Sequence, residues 1–262
     1  MIRTVHAELL KILRRRVLLV TAAAMALFSV GGAAVTLAAA RPAADAVGGR
    51  GLTLESLGAA GGGTDVFRTA VSFTGFFVFV VFVGAVAAEF GRGTFRTMLL
   101  RQPGRLRLLG GKLAGLLAYA AGVLAVTEVA TWVAARLLAP SRGVAVAAWT
   151  SLDGLGSAVA DYGAVLVWVA GYAMLGTVVA VLVRSVPVAL GVGIAWAGPF
   201  EHILADAWEP ASRIFPGLLL EAFAAGGTPE VTASRALVTV AAYVAVAAVV
   251  AGTSFARRDL AG

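Results

Sequence analysis

Two carboxylates and one histidine stand out because they fall in or beside apolar stretches. Glu128 follows Lys112 by 16 residues, while Glu201 follows Pro187 by 14 and precedes His202. At 1.5 Å per residue, these spacings correspond to about 24 and about 21 Å along a helix. An ionised side chain in hydrocarbon costs on the order of 3 kcal/mol, so such residues normally face a cavity, a partner or the headgroups.

These three residues have two interpretations. In the functional one, Glu128 and Glu201 share a depth in the outer half of a membrane and line a substrate path together with His202. In the structural one, Glu128 pairs with Arg136 or hydrogen-bonds within the helices, and Glu201 is interfacial. The sequence leaves both open.

Enzymatic chemistry finds little support in the residue types. The chain has two His and no Cys, which argues against multi-histidine metal sites and thiolate chemistry. It contains no GxSG element, and Gly110-Gly111-Lys112 lacks the glycine spacing and the following Ser or Thr of a phosphate-binding loop. We therefore expect no enzyme activity, no metal and no cofactor in this chain. Energy for any uphill transport must come from another chain or from an ion gradient.

Composition indicates a membrane protein. Sixty per cent of the residues are hydrophobic, 13% are charged and the mean hydropathy is +0.92, beyond the usual range of a soluble domain. Apolar runs of about 18 or more residues recur, and runs of that length match the hydrocarbon core. We predict an all-α polytopic membrane protein, a single domain over residues 1–262 with six transmembrane helices. The predicted spans cover about 17–40, 66–88, 113–138, 160–183, 186–203 and 236–256.

Two further elements are predicted beside these spans. The basic segment 1–16 has apolar residues on one helical face, which predicts an interfacial helix along the inner leaflet. Residues 204–235 mix acids with apolar pieces and three prolines. That mixture predicts a re-entrant hairpin in the outer leaflet before the sixth span.

The distribution of charge predicts the topology. With both termini inside, the cytoplasmic segments hold 14 of the 21 basic residues and 3 of the 14 acidic ones, in line with the positive-inside rule. The formal charge of +7 therefore needs no nucleic-acid partner, because no compact basic domain is present to hold a duplex. We expect a multi-pass protein of the cell (plasma) membrane with cytoplasmic N and C termini.

The stretch from Ala87 to Lys112 is a charged island between two apolar runs and holds six of the 21 basic residues. Its apolar residues share one helical face: Phe95, Met98 and Leu99. Thr94 is placed to cap a helix start, Gly93 allows a turn before it, and Pro103 ends the helix. We predict a two-turn amphipathic helix across the cytoplasmic face. The alternative is a loop whose arginines touch lipid phosphate.

The island resembles a known family. The run Glu89-Phe-Gly-Arg-Gly-Thr94-Phe-Arg96-Thr-Met-Leu-Leu, followed by Gln-Pro103-Gly-Arg105 and by Gly-Lys112, looks like the segment between helices 2 and 3 in ABC-2 type transporter permease subunits. The resemblance extends to the N-terminal interfacial helix, the six-helix order, the hairpin before helix 6 and the terminal Arg257-Arg258-Asp259-Leu260.

By this resemblance, the island contains the coupling helix that docks into a separate ATP-binding subunit. The positions expected to meet that partner are Glu89, Arg92, Gly93, Thr94, Phe95, Arg96, Leu99, Pro103 and Arg105. The resemblance also implies ATP and Mg on the partner subunit, a second permease copy as a homo- or heterodimer, surrounding membrane lipid, and export as the direction of transport. The alternative function is a non-transporting membrane anchor or assembly subunit, which would tolerate loss of Glu128 and Glu201.

Overall fold

The computed structural model describes residues 2–43, 52–72, 75–101, 104–196 and 200–257, and every regular element in these ranges is a helix. The 3₁₀ helices Ala139–Arg142, Ala147–Thr150 and Glu209–Arg213 accompany the α-helices. The α-helices are α1 (Ile2–Ile12), α2 (Arg15–Ala39), α3 (Leu54–Leu57), α4 (Gly62–Ser72), α5 (Gly75–Gly91), α6 (Thr94–Arg101), α7 (Arg105–Leu138), α8 (Leu152–Val183), α9 (Val186–Ala195), α10 (Glu201–Ala207), α11 (Pro216–Ala224) and α12 (Ala233–Arg257).

Four of the described helices, α2, α7, α8 and α12, are long and apolar enough to cross a membrane. A fifth crossing is counted only if the bent pair α5 and α6 forms one span. The protein is therefore all-helical, with four to five candidate membrane-spanning helices. The described residues thus give four to five such helices where the sequence predicts six. Within the predicted spans 66–88 and 186–203, residues 73–74 and 197–199 lie outside the described residues.

Two helices begin earlier than the sequence predicts. α7 starts at Arg105 instead of 113, because Leu108 and Leu109 are buried and continue the helical pattern through Gly110 and Gly111. α8 starts at Leu152 instead of 160, because the Ser151 hydroxyl accepts a hydrogen bond from the Gly154 N–H at 3.1 Å and caps the helix.

The two further predicted elements also fall on helical segments. The N-terminal helix ends at Ile12 instead of 16, since Arg14 has an extended backbone before α2. Residues 204–235, predicted as a re-entrant hairpin, contain the end of α10, the 3₁₀ helix Glu209–Arg213 and α11. The hairpin and its placement in the outer leaflet stay predictions.

The described chain divides into two compact units. The first comprises Met1–Ile12, Thr74–Tyr119 and Val167–Gly262, and the second Leu13–Phe73 and Ala120–Leu166. α7 and α8 each contribute residues to both.

In the first unit, helices approach closely at glycines. A Cβ on Gly176 would lie 3.2 Å from the Phe79 carbonyl oxygen of α5, and one on Gly193 of α9 would overlap the Phe79 ring. The same ring meets Tyr172 of α8 edge-on, with centroids 6.2 Å apart. Aromatic side chains thus fill the space that small residues leave open.

In the second unit, the core gathers around Trp149. This side chain is buried with Leu37, Leu57 and Val66, and its indole N–H donates to the Leu57 carbonyl oxygen at 2.8 Å. A buried indole needs such an acceptor, since an unpaired N–H would cost about 1 to 3 kcal/mol.

Helices α2 and α4 of the second unit touch at a glycine, which gives a testable prediction. A Cβ on Gly32 would lie 2.7 Å from the Cβ of Ala70, whereas a Cβ on the neighbouring Gly31 meets nothing within 4 Å. Gly32→Ala should lower stability by about 1 to 3 kcal/mol through overpacking. Gly31→Ala should be neutral or stabilise by up to about 1 kcal/mol through helix propensity.

Thermal unfolding of the two variants in the same detergent makes the comparison. Equal unfolding midpoints for Gly32→Ala and Gly31→Ala would contradict the close packing of α2 on α4.

Candidate functional site

The end of α5 turns sharply into α6. The two helical segments Val78–Gly91 and Thr94–Leu100 meet at 70°. Gly93 makes this turn with φ at +66°, a value that side chains with a Cβ rarely adopt. Its carbonyl oxygen accepts from the N–H of Arg96 at 3.2 Å, which begins the new helix. The short cross-helix predicted for the island is therefore present as α6, with Gly93 as the turn.

Phe95 fixes α6 to the rest of the first unit. The side chain is 1% exposed, and its ring centroid lies 4.7 Å from that of Phe90 in α5 and 5.0 Å from that of Phe255 near the end of α12. Aromatic pairs at these distances contribute about 0.5 to 1.5 kcal/mol beyond simple burial. Phe95 thus packs α6 against α5 and α12.

Thr94 connects α6 to Glu89 instead of capping its own helix. Its hydroxyl contacts the Glu89 carboxylate and lies 3.1 Å from the Glu89 carbonyl oxygen. The cap expected from the sequence is wrong at this residue, because the hydroxyl points back toward α5. A side-chain hydrogen bond therefore connects the first residue of α6 to the last turns of α5.

Four charged side chains, Glu8, Lys11, Glu89 and Lys112, form what we call the ionic cluster. The Lys112 ammonium is 2.7 Å from Glu8 Oε1 and 3.1 Å from Glu89 Oε1. The Lys11 ammonium also contacts Glu89 and lies 3.9 Å from Glu8 Oε1. Two lysines and two glutamates balance, so the cluster carries no formal net charge.

Three members of the ionic cluster are buried where three helices meet. Lys112 on α7 is only 2% exposed, and Glu8 on α1 and Glu89 on α5 are buried with it. Gly115, one turn after Lys112, permits this approach, since a Cβ there would lie 3.0 Å from the Glu8 side chain. Buried charges must be paired because desolvation otherwise costs several kcal/mol each. The cluster therefore holds α1, α5 and α7 in one arrangement.

Lys11 and Glu8 were not predicted as site residues. The available signal was a lone acid, Glu8, in the otherwise basic first segment. Its partner Lys112 is 104 positions away, and the sequence alone does not pair them.

The outward side of α6 is polar and basic. Arg92, Gly93 and Arg96 are exposed, and Leu100 is 85% exposed. Leu99 is half-buried. Of the predicted partner-contact residues, Arg92, Gly93 and Arg96 are thus accessible.

The remaining predicted contacts lie further inward. Glu89 and Phe95 are buried in the chain, and Thr94 is half-buried beside them. Arg105 is directed to the end of α12, where its guanidinium donates to the Ala256 carbonyl oxygen at 3.1 Å. Cations at a helix C-terminus are favourable. Pro103 lies outside the described residues.

Glu201, also in the first unit, accepts hydrogen bonds from the N-terminal end of α11. It is 2% exposed, and its carboxylate accepts from the backbone N–H of Leu218 at 3.0 Å and from that of Gly217. The Trp196 indole N–H contacts it as well. A carboxylate suits a helix N-terminus because the free N–H groups there point at it. Glu201 thus anchors the beginning of α11.

His202 pairs with a different acid. Its Nε2 lies 3.2 Å from Glu221 Oε2, and half of the His202 side chain is exposed. Burial raises the pKa of Glu221, and the neighbouring His202 opposes that rise. Glu201 and His202 therefore have separate partners although they are adjacent in sequence.

Glu128 belongs to the second unit. The pairing with Arg136 considered above is not found among the described residues. Instead, the Arg136 guanidinium lies over the Trp132 ring at 5.3 Å and donates to the Val146 carbonyl oxygen at 3.4 Å. The described part of the chain has no group of three or more His, Asp or Glu placed to hold a metal.

Removing Lys112 tests the ionic cluster. Lys112→Met should destabilise the protein by about 3 to 5 kcal/mol, because Glu8 and Glu89 then remain buried with less positive charge. Lys11→Met is the matched control and should cost about 1 kcal/mol or less, since that side chain is 40% exposed. Thermal unfolding in detergent measures both, and equal losses would contradict the burial of Lys112.

Truncating Glu201 tests the anchor of α11. Glu201→Ala should cost about 1 to 3 kcal/mol because the Leu218 and Trp196 N–H groups lose their acceptor. Glu201→Gln, which keeps one acceptor oxygen, should cost less. Asp206→Asn changes an exposed acid of the same helix and should leave the unfolding midpoint unchanged. A midpoint for Glu201→Ala equal to that of Asp206→Asn would remove the assignment.

Comparison with known proteins places the chain in a family. No curated protein matches it. Residues 55–261 match the model of the family described as protein of unknown function (DUF2705). That range is well over half of the chain and includes α6, Glu89 and Lys112. The chain therefore belongs to the DUF2705 family.

Proposed function

We propose that this chain is the membrane-spanning subunit of an ATP-driven ABC transporter, coupled through residues 89–105 to a separate ATP-binding subunit. The observation that carries the proposal is that α6 is packed against the protein on one side and exposed on the other. One side of this short helix is fixed to the protein by Phe95 and Thr94, and the other presents Arg96 and Leu100 outward. A coupling element needs both properties, a fixed inner side and an accessible outer side.

The contacts of α6 give a route for mechanical force. Phe95 connects it to α5 and α12 through Phe90 and Phe255. Thr94 connects it to Glu89, which the ionic cluster ties to α1 and α7. Because these contacts are buried, a displacement of α6 should move four other helices with it. ATP binding and hydrolysis on the partner would supply that displacement.

The proposal includes elements that depend on the ABC-2 resemblance. ATP and Mg bind the partner subunit, and the complete transporter contains a second permease copy, as a homo- or heterodimer. The six-crossing version counts α4 with α5, and α9 with α10, as one crossing each. Both termini lie in the cytoplasm, the protein resides in the plasma membrane, and transport is export.

A substrate path along Glu128, Glu201 and His202 stays a hypothesis within this proposal. The hydrogen bonds of Glu201 to Trp196 and Leu218 account for its burial without a substrate. Singly replacing Glu128 and Glu201 by Gln and measuring transport separates the roles. If transport is unchanged in both, the path hypothesis fails while the coupling proposal stands.

Crosslinking from α6 tests the coupling proposal. A photoreactive benzoylphenylalanine replacing Leu100 should capture a protein that contains a Walker phosphate loop, because this position faces outward. The same residue replacing Phe95 is the control and should give no such adduct, since Phe95 is buried. Crosslinking in cells followed by mass spectrometry identifies the adducts. Lipid adducts alone at position 100 would favour the membrane-anchor alternative.

Charge reversal tests the basic face of α6. Arg96→Glu should weaken binding of the ATP-binding partner roughly tenfold, equivalent to about 1.4 kcal/mol, by placing like charge in the interface. Arg235→Glu is the matched control, because Arg235 is an exposed arginine at the start of α12. The partner protein identified by crosslinking is purified and titrated against each variant in detergent, which gives the two affinities. Equal affinities would count against α6 as the docking helix.

A further inference from the structure

Glu128 has an unusual setting in the second unit. It is 9% exposed, and its Oε1 has no hydrogen-bond partner among the described residues. The preceding Thr127 offers no hydroxyl proton, since that hydroxyl donates to the Val123 carbonyl oxygen at 2.8 Å. On the α2 side, the Ser29 hydroxyl points to the Thr127 carbonyl oxygen at 3.4 Å. The hydroxyls of Thr127 and Ser29 thus have acceptors other than Glu128.

A second carboxylate near Glu128 is already satisfied. Asp161 of α8 accepts from the Thr64 hydroxyl at 2.7 Å and from the Arg68 guanidinium at 3.0 Å. Arg68 also pairs with Asp65 at 2.7 Å. Burial raises the pKa of Asp65, Arg68 opposes that rise, and Asp161 adds to it. The arginine of this group is therefore shared between two acids, neither of which is Glu128.

The surrounding charges disfavour an anionic Glu128. Its charge and that of Asp161 repel each other. The helices around it supply no compensating cation in the described residues: residues 17–39 of α2 carry no titratable side chain, and Arg136 of α7 contacts Trp132 and Val146. A buried carboxylate without a partner beside a second carboxylate would cost several kcal/mol. Adding a proton removes both the desolvation and the repulsion.

We infer that Glu128 is a proton-binding site in the second unit, a carboxyl group that holds one proton beside the hydrogen-bonded carboxylate of Asp161. A proton requires one oxygen, which Glu128 provides. Metal cations require several oxygen ligands at once, six or more for Mg²⁺ or Ca²⁺, and the oxygens of Asp161 are engaged by Thr64 and Arg68. This inference is independent of the proposed transport function.

Infrared spectroscopy of the full chain in lipid nanodiscs tests the inference. At neutral pH the wild type should show the C=O stretching band of a protonated carboxylic acid that is missing from Glu128→Gln. Glu55→Gln is the matched control, because Glu55 is an exposed glutamate of the same unit, and this variant should keep the band. The difference between wild type and each variant removes the contribution of other acids.

A second measurement tests whether Asp161 affects the protonation of Glu128. Asp161→Asn removes the repelling charge, so the Glu128 band should disappear at a lower pH than in the wild type. An unchanged titration would show that Asp161 does not act on the site and would overturn this part of the inference.

Three results would overturn the proton assignment. The first is a wild type without the acid band at neutral pH, and the second is a Glu128→Gln variant that retains it. The third is loss of the band at constant pH when choline chloride is replaced by sodium chloride, which would identify an alkali cation as the ligand. Gel filtration and the unfolding midpoint verify that Glu128→Gln is folded, and the inference expects both to match the wild type at neutral pH.

Discussion

The arrangement of the first unit depends on the pairing of one buried lysine. Lys112 is nearly inaccessible, and an ammonium group in that setting requires carboxylates at hydrogen-bond distance. Its two partners come from different helices, Glu8 from α1 and Glu89 from α5. No single helix can satisfy the charge alone, so all three must be placed together. Because Glu89 also contacts Thr94, the same constraint sets where α6 begins.

The two buried glutamates that attracted attention in the sequence are held in opposite ways. Glu201 receives N–H donors from Leu218 and Trp196, and each stabilises negative charge. The Oε1 atom of Glu128 receives none among the described residues, and Asp161 adds repulsion. The two carboxylates are both buried, but only Glu201 is supplied with N–H donors in the described residues. The spacing of a residue along a helix predicts its depth in the membrane, but it does not predict which hydrogen-bond donors surround its side chain.

The short cross-helix was predictable from local residues, whereas its orientation was not. Gly93 at the turn and the apolar residues after it determine that α6 forms, and both are visible in the sequence. Which side faces inward depends on Phe255, a residue 160 positions from Phe95, and sequence periodicity does not identify such a partner. The early starts of α7 and α8 were not predicted, because they depend on the burial of Leu108 and on the hydrogen bond from the Gly154 N–H to the Ser151 hydroxyl.

The burial of Phe95 also bears on whether α6 serves lipid or protein. An amphipathic helix that lies on a membrane places its large apolar side chains in the acyl region and its cations at the headgroups. In α6 the largest apolar side chain is instead enclosed by Phe90 and Phe255, so it is not available for insertion. The accessible side presents Arg96 and Thr97 with Leu100 at the end. The largest apolar side chain of α6 therefore packs within the protein, while Arg96 stays on the accessible side.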